Sequence, residues 1–373
     1  MTDRMRTHRG VALWLFACAA LVYAVLIVGG VTRLTHSGLS IVHWQPLVGV
    51  LPPLSEAAWE ELFRQYRATP EFRLVNFELT LQGFKYIFWW EYAHRLLGRL
   101  IGLVFLLPLL WFAATRAISR RLGWWLAAIF LLGALQGALG WYMVASGLVD
   151  DPRVSPFRLT AHLGLALLII GAILWTAWSL WPLARSAAAA VSAPASDAQP
   201  GRVPWPARIV VAAVFVMALT GGMVAGTRAG FVYNTFPLMG ATLVPPDLMR
   251  LSPWYSNFAY NLATVQFVHR AIAWVLIVAV PAFWWWIRRA VPAQRARTQS
   301  NLMLAALALQ ITLGIATLLS VVALPLAAAH QAGAGFLYAA TLWTAHALAR
   351  QAAETQSASP HTEVGGAPTA RSA

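Results

Sequence analysis

The sequence predicts an all-α, polytopic membrane protein: eight transmembrane helices arranged as two tandem four-helix bundles related by pseudo-two-fold symmetry. Three observations lead there. Apolar residues make up 59% of the 373 residues and charged residues only 11%, with a mean hydropathy of +0.63, whereas a soluble domain carries about a quarter charged residues. Several uncharged runs reach the roughly twenty residues needed to cross a bilayer. The second half of the chain also repeats the landmarks of the first.

The spans are expected at 11–31, 87–112, 123–145, 159–183, 208–228, 262–287, 301–321 and 326–349. The opening MTDRMRTHRG followed by an apolar run resembles a signal peptide. That run continues to about Val31 without a small-residue cleavage site, so it reads as a retained first helix. Residues 11–183 form the N-terminal bundle, 184–207 a small-residue and Pro-rich cytoplasmic linker, 208–350 the C-terminal bundle and 351–373 a polar, disordered tail. A very short turn at Pro325 joins the last two spans, and two large loops, 32–86 and 229–261, face outward. Arginines far outnumber acids in the loops on the side of the termini, and the two signs nearly balance in the loops opposite. Both termini are therefore expected in the cytoplasm, with the protein in the cell inner membrane. Many of the 19 Trp lie near span ends, where an indole favours the water–lipid interface.

The net charge of +14 does not point to nucleic acid, because the arginines are spread through short loops between apolar runs. The single cysteine, Cys18, lies within the first apolar run, which excludes an internal disulfide and argues against a Cys-based metal site.

The two halves resemble each other. Gly29-Gly30 is followed by Trp44, Pro46, Gly49, Pro52 and Pro53; Gly221-Gly222 is followed by Asn234, Pro237, Gly240, Pro245 and Pro246. Glu91-Tyr92-Ala93-His94-Arg95 opens the second span and Gln266-Phe267-Val268-His269-Arg270 the sixth, while His162 and His330 open the fourth and eighth. A unit of four spans, an even number, inserts both copies with the same orientation.

Spans 2, 4, 6 and 8 all start on the outer side, so the four histidines share one depth near that surface. Two imidazoles from facing helices of one bundle are what bis-axial heme ligation needs, one on each face of the ring. The repeat pairs His94 with His162 and His269 with His330. A lone intramembrane histidine is more often a packing residue; four at matching positions favour ligation, and copper or zinc would require further ligands that neither pair offers. His8, His36, His43, His346 and His361 do not follow the repeat.

One position separates the two sites. Glu91 lies three residues before His94 on the same helical face, and Gln266 takes its place before His269. A carboxylate there can accept a proton or stabilise developing positive charge; it can equally be a helix-start acid favoured by the helix dipole. The asymmetry suggests chemistry at the first heme and a permanent cofactor at the second. Arg95 and Arg270 are candidates for heme propionate contacts, with interfacial anchoring an equal alternative.

Six stretches resemble one family: GGVTRLTHSGLSIVHWQPLVGVLPP at 29–53, FKYIFWWEYAHRLLGR at 84–99, RVSPFRLTAHLGLAL at 153–167, AGTRAGFVYNTFPLMGATLVPP at 225–246, FAYNLATVQFVHRAIAW at 258–274 and LGIATLLSVVALPLAAAHQ at 313–331. Over about residues 11–350 the chain resembles the heme A synthases, in the branch shared by proteobacteria and mitochondria. The resemblance implies an enzyme that oxidises the C8 methyl group of heme O to a formyl group by successive hydroxylations, giving heme A for cytochrome oxidase. It implies that His94 and His162 bind heme O or heme A, that His269 and His330 ligate a resident heme B, and that Glu91 is catalytic. Expected partners are heme O and membrane lipids. Contacts with the heme O synthase or with cytochrome oxidase assembly factors stay open, as does a homo-oligomer. Some relatives carry a cysteine pair in an outer loop; this chain has none there, which puts thiol exchange in doubt. The alternative is a di-heme, bis-histidine electron-transfer cytochrome; a third reading is a transporter or heme-insertion factor.

Overall fold

The computed structural model describes residues 3–43, 49–149, 152–181, 202–291 and 294–358. Within them the regular structure is helical. The elements are α1 (Asp3–Leu34), α2 (Glu56–Arg67), α3 (Pro70–Leu74), α4 (Leu81–Ala114), α5 (Arg120–Ala145), α6 (Pro156–Leu180), α7 (Trp205–Thr227), α8 (Asn257–Tyr260), α9 (Leu262–Ala290), α10 (Gln294–Leu319) and α11 (Leu324–Ala358).

Seven helices, α1, α4, α5, α6, α7, α9 and α10, are long and apolar enough to cross a membrane. The eighth expected span coincides with α11, which has the length but is not among the seven. His330, Gln331, Tyr338, Thr341, Thr344 and His346 dilute its apolar character. In α4 only 11% of the most apolar window is buried, and in α5, α7, α9 and α10 17%. Leu107, Trp111, Trp124, Leu131 and Val278 are accordingly exposed. So much outward-facing apolar surface suits lipid and would be a liability in water.

The helices pack in two closed rings. In the first, α1 touches α4 and α6, and α5 touches α4 and α6; in the second, α7 touches α9 and α11, and α10 touches α9 and α11. The rings meet where α6 packs on α7 and α11, and α1 on α11. This explains why α1 and α6 are far more buried, 44% and 50% of their windows, than the peripheral helices.

Several boundaries differ from the sequence reading. α4 starts at Leu81, six residues before the expected 87, and α1, α10 and α11 also overrun their apolar spans. The extensions have local causes. Thr80 caps α4 by accepting the Gly83 N–H at 3.2 Å, and Phe84, Ile87 and Phe88 are buried against Trp59 and Tyr66 of α2. The loop 32–86 is thus partly a lid of two helices, capped by Ser55 and Thr69. α11 continues through residues 351–358, where the sequence reading places the start of the disordered tail. Residues 359–373, including His361, lie outside the described residues, as do 184–201 of the expected linker and Trp44 and Pro46.

Candidate functional site

The four histidines are built into their helices in the same way. Each lies against a glycine on the preceding long helix of its own ring. A Cβ on Gly29 of α1 would fall 2.6 Å from His94 Nε2, and on Gly140 of α5 2.9 Å from His162 Cε1. In the second ring a Cβ on Gly221 of α7 would fall 3.3 Å from His269 Cε1, and on Gly314 of α10 2.8 Å from His330 Cε1. At Gly29, Gly140 and Gly314 any side chain would take the ring's space, whereas at Gly221 a methyl group would be only a tight fit. His94 and His162 lie within electrostatic reach of each other, as do His269 and His330, the pairing that the repeat predicts.

Two residues that sequence reasoning missed complete this scaffold. Gln136 Nε2 donates to the carbonyl of His162 at 2.9 Å, and Gln310 Nε2 donates to the carbonyl of His330 at 3.0 Å. The signal was present as Gln136-x-x-x-Gly140 and Gln310-x-x-x-Gly314, one turn between glutamine and glycine in both halves. In each half the same two buried atoms have no hydrogen-bond partner: Gln136 Oε1 with His162 Nδ1, and Gln310 Oε1 with His330 Nδ1. An orphaned buried polar atom costs about 1–3 kcal/mol, so its recurrence marks a site built for a bound group.

His269 has a further support. Thr220 Oγ1 donates its single proton to the Met217 carbonyl at 2.8 Å, so toward His269 Nδ1, 2.9 Å away, it can only accept. Nδ1 then carries the ring proton and Nε2 is left with a free lone pair, the tautomer a metal ligand needs. The residue matching Thr220 before Gly29 is Val28, which has no hydroxyl.

The glutamate–glutamine difference is accompanied by a different environment. Glu91 is buried, 3% exposed. Its Oε2 accepts from Ser40 Oγ and the Ile41 N–H, both at 2.8 Å, and its Oε1 from Arg95 Nε at 3.0 Å and Nη2 at 2.6 Å. Gln266 is equally buried but donates only to the Tyr233 carbonyl at 3.2 Å, with Oε1 unpartnered. The two following arginines act alike. Arg95 donates to the carbonyls of Ile41 and His43 at 2.8 and 3.1 Å. Arg270 donates to those of Thr235, Pro237 and Leu238 at 2.6–3.1 Å. Both guanidiniums fasten an outer loop onto the helix that bears a histidine.

Above Glu91, the lid contributes a second buried carboxyl. Glu71 accepts from Tyr66 Oη at 3.3 Å, and Asn76 Nδ2 donates to that hydroxyl at 2.7 Å. Burial, followed by the nearby Glu91, pushes Glu71 up to about 8.

Among the described residues, His346, His36 and His43 have other partners. His346 is buried against Trp175 and Trp178, within 3.1 Å of Ser179 Oγ; His36 meets Arg228, and His43 lends its carbonyl to Arg95. Cys18 is a buried free thiol.

The donor set fits a metalloporphyrin. Among the described residues no group of three or more His, Cys, Asp or Glu could hold a bare metal ion. Two histidines suffice only when another group supplies the equatorial donors, as a porphyrin does.

The chain matches the family described as cytochrome oxidase assembly protein (COX15-CtaA) over residues 12–342. It is 54% identical over 349 residues to the heme A synthase of Nitrosospira multiformis, covering 94% of this chain and 96% of that one. It is 50% identical over 344 residues to the heme A synthase of Nitrosomonas eutropha, covering 92% and 95%. The corresponding protein of Parvibaculum lavamentivorans is 44% identical over 352 residues, covering 92% and 95%. With two glycine-backed histidine pairs in an all-helical membrane scaffold and matches of this extent, the chain belongs to the cytochrome oxidase assembly family that contains the heme A synthases.

Proposed function

We propose that the chain is a membrane-bound oxidoreductase that converts heme O to heme A, oxidising the C8 methyl group to a formyl group for use by cytochrome oxidase. The observation that carries this reading is the unequal pair of sites: four histidines with matched support, but a buried, fully hydrogen-bonded carboxylate beside only one of them. His94 and His162 hold the iron of heme O or heme A. His269 and His330 hold a resident heme B, a role that suits the proton-fixing Thr220.

When bound, the hemes supply the redox chemistry; the chain's own residues orient and stabilise. Glu91 sits one turn from His94 and is fixed by four donors, so its charge is preorganised beside the first site rather than being arranged during the reaction. There it stabilises positive charge developing at the reacting carbon and is placed to take up a proton. Arg95 holds that carboxylate and, with Arg270, pins the outer loops over the two sites.

The same reading makes α11 the eighth span and the two rings the N- and C-terminal four-helix bundles, 11–183 and 208–350, related by a pseudo-two-fold. Both termini then lie in the cytoplasm and the histidines toward the outer face of the inner membrane.

Matched support for both pairs also favours a second reading, a di-heme electron-transfer cytochrome. Replacing Glu91 separates the two. Glu91→Gln copies the second half into the first, and Glu91→Ala removes the side chain. Heme B is expected to remain bound in both variants while heme A output, measured by heme extraction and mass spectrometry, is lost. Normal heme A output from either variant overturns the role given to Glu91; heme B alone in both sites of the unaltered protein favours the cytochrome.

A further inference from the structure

Arg33, His36 and Arg228 converge where the outer ends of α1 and α7 meet. These are two of the four helices whose glycines lie against histidines, one from each ring: Arg33 is one turn beyond Gly29, and Arg228 two turns beyond Gly221. Arg228 caps α7 in the left-handed region, φ 62°, and its Nη2 lies 3.3 Å from His36 Nδ1. His36 is itself left-handed, φ 53°. The protein around His36, then Arg228 and Arg33, push its imidazole below the usual histidine range, so at neutral pH it is uncharged and accepts from Arg228.

The cluster lacks a counter-charge. Among the described residues the Arg33 guanidinium makes no hydrogen bond or ion pair, and neither arginine is bonded to a carboxylate. Glu71 is close enough to feel Arg228, but burial keeps it largely protonated at neutral pH. Two half-buried guanidiniums facing each other repel, and desolvation raises the cost. Helix C-termini favour cations, which accounts for one arginine at the end of each helix but not for the two being brought close together. Arg95 and Arg270, by contrast, have their N–H groups engaged by loop carbonyls and, for Arg95, by Glu91.

We propose that Arg33 and Arg228 form a shared anion site that receives the propionate carboxylates of the porphyrins held by the two histidine pairs, on the reading that those pairs hold hemes. Guanidinium groups bind carboxylates through paired, charge-assisted hydrogen bonds, and the cluster lies just beyond the glycines that face His94 and His269, one from each pair. His36 steadies Arg228 by accepting one of its N–H groups.

The test compares heme B with its dimethyl ester, whose propionates carry no charge. Full-length protein produced without heme is titrated with each in detergent, following the low-spin Soret band. A charge-assisted hydrogen bond is worth about 1.5–3 kcal/mol, so the unaltered protein should prefer the free acid by roughly 10- to 100-fold. Arg33→Gln with Arg228→Gln should bind both forms with the low-spin band intact and the preference lost; Arg33→Lys with Arg228→Lys should restore part of it. Single Arg33→Gln and Arg228→Gln variants, each losing part of the preference, serve if the double variant does not fold. An unchanged preference in the glutamine variants overturns the proposal and leaves the heme reading standing. Failure of the unaltered protein to take up either form overturns the heme reading itself.

Discussion

Replacing Gly29 with alanine gives the sharpest test of how the first site is built. The new Cβ would lie 2.6 Å from His94 Nε2, against about 3.4 Å for an ordinary contact, so the imidazole must retreat by about 0.8 Å. Metal–ligand distances hold to about 0.2 Å, so the displacement is several times what coordination tolerates. Helix propensity works the other way: alanine in place of a mid-helix glycine stabilises by about 0.8–1 kcal/mol. Loss of heme therefore cannot be blamed on a weakened α1. Gly221→Ala is the internal control, because its Cβ would meet His269 Cε1 at 3.3 Å, within about 0.1 Å of comfort. The expected result is a drop in affinity at the His94 site on the order of 10- to 100-fold, the scale associated with losing support of a ligand histidine. Heme content per polypeptide and the low-spin absorption band of purified protein report it. Gly29→Ala protein with both hemes bound and an unchanged low-spin band would refute the argument.

Other predictions rest on separate contacts. Thr220→Val keeps the shape but removes the acceptor for His269 Nδ1; heme B retention should fall by roughly tenfold, read as the rate of heme loss to a scavenger. Arg95→Gln withdraws the cation from buried Glu91, whose ion pair is only 19% and 4% exposed. Breaking such a pair costs about 3–5 kcal/mol, visible as a lower melting temperature and faster proteolysis of the outer loop. Glu71 titrates near 8 in the fold against 4.5 ordinarily, so between those values the unfolded chain binds fewer protons than the folded one. Stability should fall as pH rises from about 4.5 to 8 and level off above; thermal melts of Glu71→Gln should be flatter across that window.

The histidines and the glutamate–glutamine difference were readable from sequence because polar groups stand out in apolar runs and because duplication repeats them at fixed spacing. Gln136 and Gln310 were just as repeated but escaped notice, since a glutamine inside a span carries no ligand chemistry of its own. The loop partners of Arg95 could not be read at all: they are backbone carbonyls more than fifty positions away, and a carbonyl leaves no mark in a sequence. Hydropathy found the spans and missed the helical overhangs, because what extends α4 to Leu81 is packing on the lid rather than lipid. The lid helices were hidden for a related reason. Twelve amphipathic residues in a polar loop are held by Trp59 and Tyr66 against α4, a contact between distant segments.

Consecutive residues of α1, about 100° apart around the helix, face helices of different rings. Gly29 lies beside His94, while Gly30 lies beside Gln331, the neighbour of His330, whose amide Nε2 donates across the ring boundary to the Leu26 carbonyl at 2.7 Å. One helix thus serves as a party wall, and its thickness, about 10 Å, sets how far apart the contents of the two rooms can be. A strand of residues that touches both sides cannot be tuned for one alone. Any slide of α1 that tightens one chamber is felt at once in the other, so its glycine pair is constrained from both sides.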